Sequence, residues 1–476
     1  MRLLVLALAM GVAACSTAPA LPEAASCERW YEELDRAVDQ AGVRDAQYAL
    51  LDGFPYLRVD RFHASLGERA RRDEKAQRIF AGRLLELDRD ARRVEIDNLP
   101  HPRAELRKRT EECGRQLLDA QLAKPGGGLA ILQAAQVPDD YSTTVRVLGL
   151  YWLTRIPFAH GVRKWEDSRR DALGRPPSQD GLRVRFSPPL TTRLTRAAVA
   201  GLLERARLDP FGQPVFTERE IEQLAATYAP IYEITTTADY DRFGEVRWRA
   251  GAAAPQIDAA QAVVYVQAAY ARYGERVLFQ LVYTLWFSER PRDRALDILA
   301  GRLDGLVWRV TLAPDGEPLI YDSMHPCGCY HEFYPTPRAR PRRSPHPLEE
   351  WAFAPLELPR VAEGERPLVR IESATHYIAG LEIVKGGDSL VRYSTRPYDR
   401  LRSLPAPEGG RRSMFGADGL IAGSERLERF LFWPMGIASA GAMRQWGRHA
   451  TAFVGRRHFD DADLLERRFD IQGLEK

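Results

Sequence analysis

Residues 306–331 read LVWRVTLAPDGEPLIYDSMHPCGCYH. β-Branched and aromatic side chains crowd 306–312 and 318–322, with Pro314-Asp315-Gly316-Glu317 between them. An Asp-Gly pair flanked by two such runs predicts a hairpin, because glycine supplies the positive φ of a tight turn. Working outward, strand-like runs recur at 231–235, 263–266, 277–287 and 368–392, whereas 27–135 carries helical periodicity with charged outer faces. The expected fold class is α+β, a helical N-terminal region followed by a β-rich, sandwich-like central to C-terminal region.

The breaker Lys124-Pro125-Gly126-Gly127-Gly128 closes the helical region 27–135. Residues 136–228 read as mixed and mainly helical, with a helix expected over Glu218–Tyr228. Within that stretch the apolar run 141–160 fits a helix or buried strands, and periodicity does not separate the two. The β-rich region then spans 229–334, a Pro/Arg-rich linker or surface loop 335–347, and a β-rich, looped region 348–476.

Of 476 residues, 68 are Lys or Arg and 65 Asp or Glu, a net charge of +3 that excludes a polybasic nucleic-acid binder. No nucleic-acid partner is expected. Hydrophobic residues make up 45%, enough for sizeable cores and unlike a disordered chain.

Arg2 precedes an apolar run at 3–12 that is too short to cross a bilayer about 30 Å thick. It ends in Val12-Ala13-Ala14-Cys15, which resembles the bacterial lipobox. The resemblance implies a signal peptide at 1–14, lipidation of Cys15 and a tether at 15–26. Ser16 rather than Asp after the cysteine implies the outer membrane. The expected location is thus the bacterial cell envelope, lipid-anchored and facing the periplasm, with the membrane as partner alongside an envelope protein or small molecule.

An oxidising compartment changes how the other cysteines are read. Cys27 and Cys113 each lie in a helical pattern, so a disulfide stapling two helices is expected, with two buried thiols as the alternative. Directly after the hairpin, His325, Cys327, Cys329 and His331 stand at every second position. On a straight strand the two histidines would lie about 20 Å apart, too far for one tetrahedral ion. Pro326 and Gly328 predict a bend that brings the thiols together.

Three chemistries fit these residues. Cys327, Cys329, His325 and His331, with His376 from the run 368–381, suit zinc or copper. An open position on such an ion would let bound water act as a nucleophile. A disulfide across one glycine would be readily reduced and suit thiol exchange. A permanent disulfide would merely cap the hairpin on a non-enzymatic scaffold or binding lipoprotein. Farther on, His449, His458, three arginines, Asp460 and Asp461 crowd residues 447–461, an anion-binding mixture or an ion-paired surface.

Gly-x-Ser-x-Gly, His-Glu-x-x-His, a Walker A loop and Gly-x-Gly-x-x-Gly after a strand are all absent from the sequence. The order across 277–331, an aromatic strand, then Asp304-Gly305-Leu306-Val307-Trp308, a hairpin and a His-containing loop, resembles the central β-sandwich of necrosis-inducing cytolysin-like proteins. The resemblance implies a sandwich and no more, because no His precedes Asp304 and Arg309 stands where that family places an acid.

Overall fold

Ser26 caps the helix Cys27–Ala41 (α1) by accepting from the Arg29 amide at 3.3 Å, and Gly42 ends it in the left-handed region. Asp73 caps Glu74–Asn98 (α2) in the same way, accepting from the Ala76 amide at 2.8 Å. Ala104–Leu122 (α3) packs against both, and a Cys27–Cys113 disulfide, Cα–Cα 5.0 Å, ties it to α1. The computed structural model describes residues 26–100, 104–175, 181–386 and 391–474. The lipobox-like segment and Cys15 lie outside the described residues.

The α2 helix buries charge as well as apolar surface. Arg58 reaches Asp88 at 3.3 Å and Glu95 at 2.6 Å, and Arg92 reaches the same two carboxylates at 3.3 and 3.0 Å, with all four side chains sequestered from solvent. Paired in this way, the ions recover much of the cost of leaving water. Arg402 binds Asp45 at 2.8 Å and so holds the C-terminal part against this helical body.

Residues 141–160 prove helical. Thr143–Leu148 (α4) and Tyr151–Leu173 (α5) meet at Gly149, where a side chain would collide with Pro434. Val147, Leu148, Trp152, Leu153 and Ile156 of these helices face solvent.

The strands Leu182–Ser187 (β1), Ile231–Thr236 (β2), Val263–Tyr273 (β3), Arg276–Arg290 (β4), Gly301–Leu312 (β5), Pro318–Met324 (β6), Glu332–Pro335 (β7), Glu365–Ile371 (β8), Ile378–Lys385 (β9), Val391–Arg392 (β10) and Ser394–Pro397 (β11) build two mixed sheets. One runs β7-β6-β5-β4-β3-β11, antiparallel except for the parallel pair β3/β11. The other runs β9-β8-β2-β1-β10, with β8/β2 and β10/β1 parallel. The expected hairpin is the β5/β6 pair, with Gly316 at φ 77° in its turn.

The two sheets stack face to face as a sandwich: Phe279, Leu281, Tyr283 and Trp308 of the larger share one core with Tyr232, Ile234, Val369 and Ile371 of the smaller. The outer face of the larger sheet is covered by irregular chain from 398 to 474, so Val282, Val307 and Met324 pack on Phe459, and Trp286 packs near Tyr398 and Met443. Ten consecutive residues of β4 are therefore buried, which erases the alternation a one-sided sheet would show. The Pro/Arg-rich stretch lies on the surface, where Ala339–Pro341 pairs with Phe469–Ile471.

Candidate functional site

The segment joining β6 to β7 is wound tightly on itself. His325 donates its amide to the Cys329 carbonyl at 3.0 Å, and Gly328 donates to the His325 carbonyl at 2.8 Å. Gly328 is at φ 88°, and a Cβ there would strike the Ala450 carbonyl, so only glycine fits both the turn and the approach. This winding separates the four ligand-type side chains into two surroundings.

One is polar. Asp304, on β5 opposite Phe287 of β4, lies 3.1 Å from His325 Nδ1 and 2.8 Å from His376 Nδ1. Burial alone would raise the Asp304 carboxyl, but the two imidazoles hold it well below the usual carboxylate range. The His376 ring stacks on Phe287 at 3.9 Å, and its Nε2 donates to the Tyr240 carbonyl at 3.2 Å. Three non-glycine residues with positive φ, Leu303, Tyr330 and His376, surround this network, a concentration of backbone strain typical of functional positions. On the opposite, outer face of the same sheet, Asp322 accepts from Arg309 Nε at 2.9 Å and pairs with His331 Nε2 at 2.8 Å. Burial pushes His331 down to about 3, so the ring is neutral. Among the described residues, the buried His325 Nε2 and His331 Nδ1 have no hydrogen-bond partner.

The other surrounding is apolar. Cys327, Gly328 and Cys329 form part of the wall of a cavity of about 540 Å³, and Phe158, Val162 and Trp165 of α5, with Phe353, Leu431, Phe432 and Phe453, form much of the rest. Its aromatics pack edge to face, Phe158 to Phe432 at 5.3 Å and Phe432 to Phe453 at 4.9 Å. The Cys327 and Cys329 thiols are free and adjacent; hydrogen bonding to Cys327, together with burial, keeps Cys329 well above the ordinary thiol range.

Polar side chains are the exceptions in this wall, which also includes Glu166, His331, Thr451 and Arg457. Glu350 accepts from the Phe453 and Val454 amides at 2.6 and 3.0 Å. Glu428, only 4% exposed, is raised by burial to about 7, with Arg426 and Arg290 offsetting part of the effect. Gly441 leaves it room, since a side chain there would overlap the carboxylate.

The five expected metal ligands thus do not converge. His325 and His376 meet on Asp304, His331 pairs with Asp322, and the two thiols lie together apart from both. Among the described residues, no group of three or more His, Cys, Asp or Glu side chains is arranged to hold a metal ion. The expected Cys27–Cys113 disulfide is present. The arginines of 447–461 are spent on protein acceptors: Arg448 on Asp140, Arg456 on Asp139, and Arg457 on Thr451 and Trp351.

Sequence reasoning missed the cavity and Glu428. The available signals were the apolar runs 141–160 and 430–433, whose shared location only the fold reveals. No protein-family model, curated protein or solved structure matches the chain.

Proposed function

We propose that this chain is a lipid-anchored envelope protein that holds an apolar, chain-like ligand in the cavity beside the Cys327–Cys329 turn. The observation that carries this reading is the cavity itself. Its volume of about 540 Å³ lies within the range of small-molecule sites, which are mostly apolar with a few polar groups to orient the ligand. Here Glu166, His331, Glu350 and Glu428 are those groups, while Arg457 in the same wall is already bonded to Thr451 and Trp351. An acyl chain would lie against the α5 aromatics, and its polar end would meet one of these groups. The lipobox-like segment supports the envelope placement.

Gly161 lines the cavity, and a Cβ there meets no atom within 4 Å, so Gly161→Phe fills space without forcing the backbone. The full chain is expected to bind the fluorescent fatty acid cis-parinaric acid, and Gly161→Phe to weaken that binding at least about tenfold with circular dichroism unchanged. Absence of binding by the wild type, or equal binding by the variant, would overturn the reading.

A second reading rests on the adjacent free thiols, a pair suited to a zinc or copper ion or to a reversible disulfide. Elemental mass spectrometry of the wild type against Cys327→Ser/Cys329→Ser tests it: metal lost in the variant supports an ion. A Cys327–Cys329 disulfide in the wild type supports the redox pair. No metal together with two unreacted thiols would remove this reading.

A further inference from the structure

Helices α4 and α5 leave Leu148, Leu150, Trp152, Leu153 and Ile156 facing solvent, Leu148 at 71% and Trp152 at 68% exposure. Beside them the chain segment ending in Trp433 exposes Phe430, Leu431 and Trp433, Phe430 at 66%. The two segments are held together: Arg146 Nε donates to the Met435 carbonyl at 2.8 Å, and the Ser142 amide to the Gly436 carbonyl at 2.8 Å. The apolar side chains therefore form one fixed surface rather than scattered exposures, and a surface of this kind marks an interaction site.

We infer that this surface seats the protein on the anionic face of a phospholipid bilayer. Three observations favour lipid over a protein partner. Along α5 the half-buried Arg155 and the exposed Arg163 and Lys164 precede the first acidic residues, Glu166 and Asp167, so the end of the helix that carries the exposed apolar side chains is positively charged and suits anionic headgroups. Two exposed tryptophans stand among aliphatic side chains, the composition of segments that lie in a membrane interface. Leu431 belongs both to this surface and to the cavity wall, and Pro157 and Phe158 of α5 continue into that wall. The mouth of an apolar cavity thus opens at the apolar face, where an acyl chain would pass from bilayer to protein without crossing water. No described helix is long and apolar enough to cross a membrane, so the contact is peripheral.

This inference rests on the envelope placement proposed above and goes beyond the cavity reading. Its test is separate from cis-parinaric acid binding. The lipidated full chain is reconstituted in phosphatidylethanolamine/phosphatidylglycerol vesicles whose acyl chains carry bromine, which quenches only tryptophans at acyl depth. Quenching of the wild type that falls to less than about a third in Trp152→Phe/Trp433→Phe would support the surface, because Trp at such positions reaches the headgroup–acyl boundary. Quenching that is absent, or equal in wild type and variant, would overturn it. So would a dimer in analytical ultracentrifugation that Leu153→Glu converts to monomer while vesicle quenching stays absent, since the surface would then serve a second copy. The substituted side chains are solvent-exposed, and circular dichroism checks that the fold is kept.

Discussion

Helices α2 and α5 are nearly equal in length, 25 and 23 residues, and are used in opposite ways. The α2 helix buries Phe80, Leu84, Leu85, Val94 and Ile96 and, among them, Asp88, Arg92 and Glu95 with partners for each charge. The α5 helix buries only Ala159 and Arg169. Arg169 pins it to β7 through Glu332 at 2.7 Å, while its apolar residues are divided between a cavity and open solvent. The difference teaches that apolar content does not by itself mean core. In α2 the buried carboxylates are paired within the chain, and in α5 part of the apolar surface stays uncovered.

The contrast can be broken at three points. The largest effect is expected on the α2 side. Arg58→Met leaves buried Asp88 and Glu95 to share Arg92 alone, and urea unfolding should show a loss of about 3–5 kcal/mol, the cost of one uncompensated buried charge. A loss below about 1 kcal/mol would mean that the network is not closed as described.

An intermediate effect belongs to the cavity, where Glu428 is buried without the paired cations that α2 provides. Burial raises its carboxyl to about 7 from an ordinary 4.5, so the folded protein keeps a proton that the unfolded chain has released. Stability should therefore fall as pH rises from about 4.5 through 7. Glu428→Gln should flatten that dependence and stabilise the protein by up to ~3 kcal/mol at pH 8, with little change at pH 4, as read by unfolding at several pH values. An unchanged pH profile in the variant would place the charge in water instead.

The smallest effect is expected on the exposed face of α5. Leu153→Gln should shift stability by less than about 0.5 kcal/mol in thermal or urea unfolding, because no buried contact is lost. A loss of 2 kcal/mol or more, on the scale of a buried Leu truncation, would show that this face is covered within the chain and would erase the contrast with α2.

Much of the fold was legible because its signals are local. The Asp-Gly turn announced the β5/β6 hairpin, and the helical spacing around Cys27 and Cys113 announced two helices close enough for a disulfide. The ligand-type residues were legible only as residues. Asp304 lies 21 positions from His325 and 72 from His376, so their meeting depends on β5 lying beside the β6–β7 turn and the β8–β9 connection. The alternation of His and Cys suggested one face. The tight turn at Gly328 instead sent His325 to Asp304 and His331 to Asp322, with His331 and the two thiols along the cavity wall. Residues 141–160 stayed ambiguous for a physical reason: apolar side chains look the same in sequence whether they fill a core, line a cavity or face outward.

The sequence by itself determined the α+β class, the hairpin and the two helices that Cys27 and Cys113 join, since each follows from spacing, turn chemistry or periodicity within a few residues. Only the tertiary structure decided which charges are paired, where the imidazoles point and which apolar residues are left uncovered. Those outcomes depend on contacts between segments far apart in the chain, such as Asp45 with Arg402, Asp304 with His376, and α5 with the segment at Phe432.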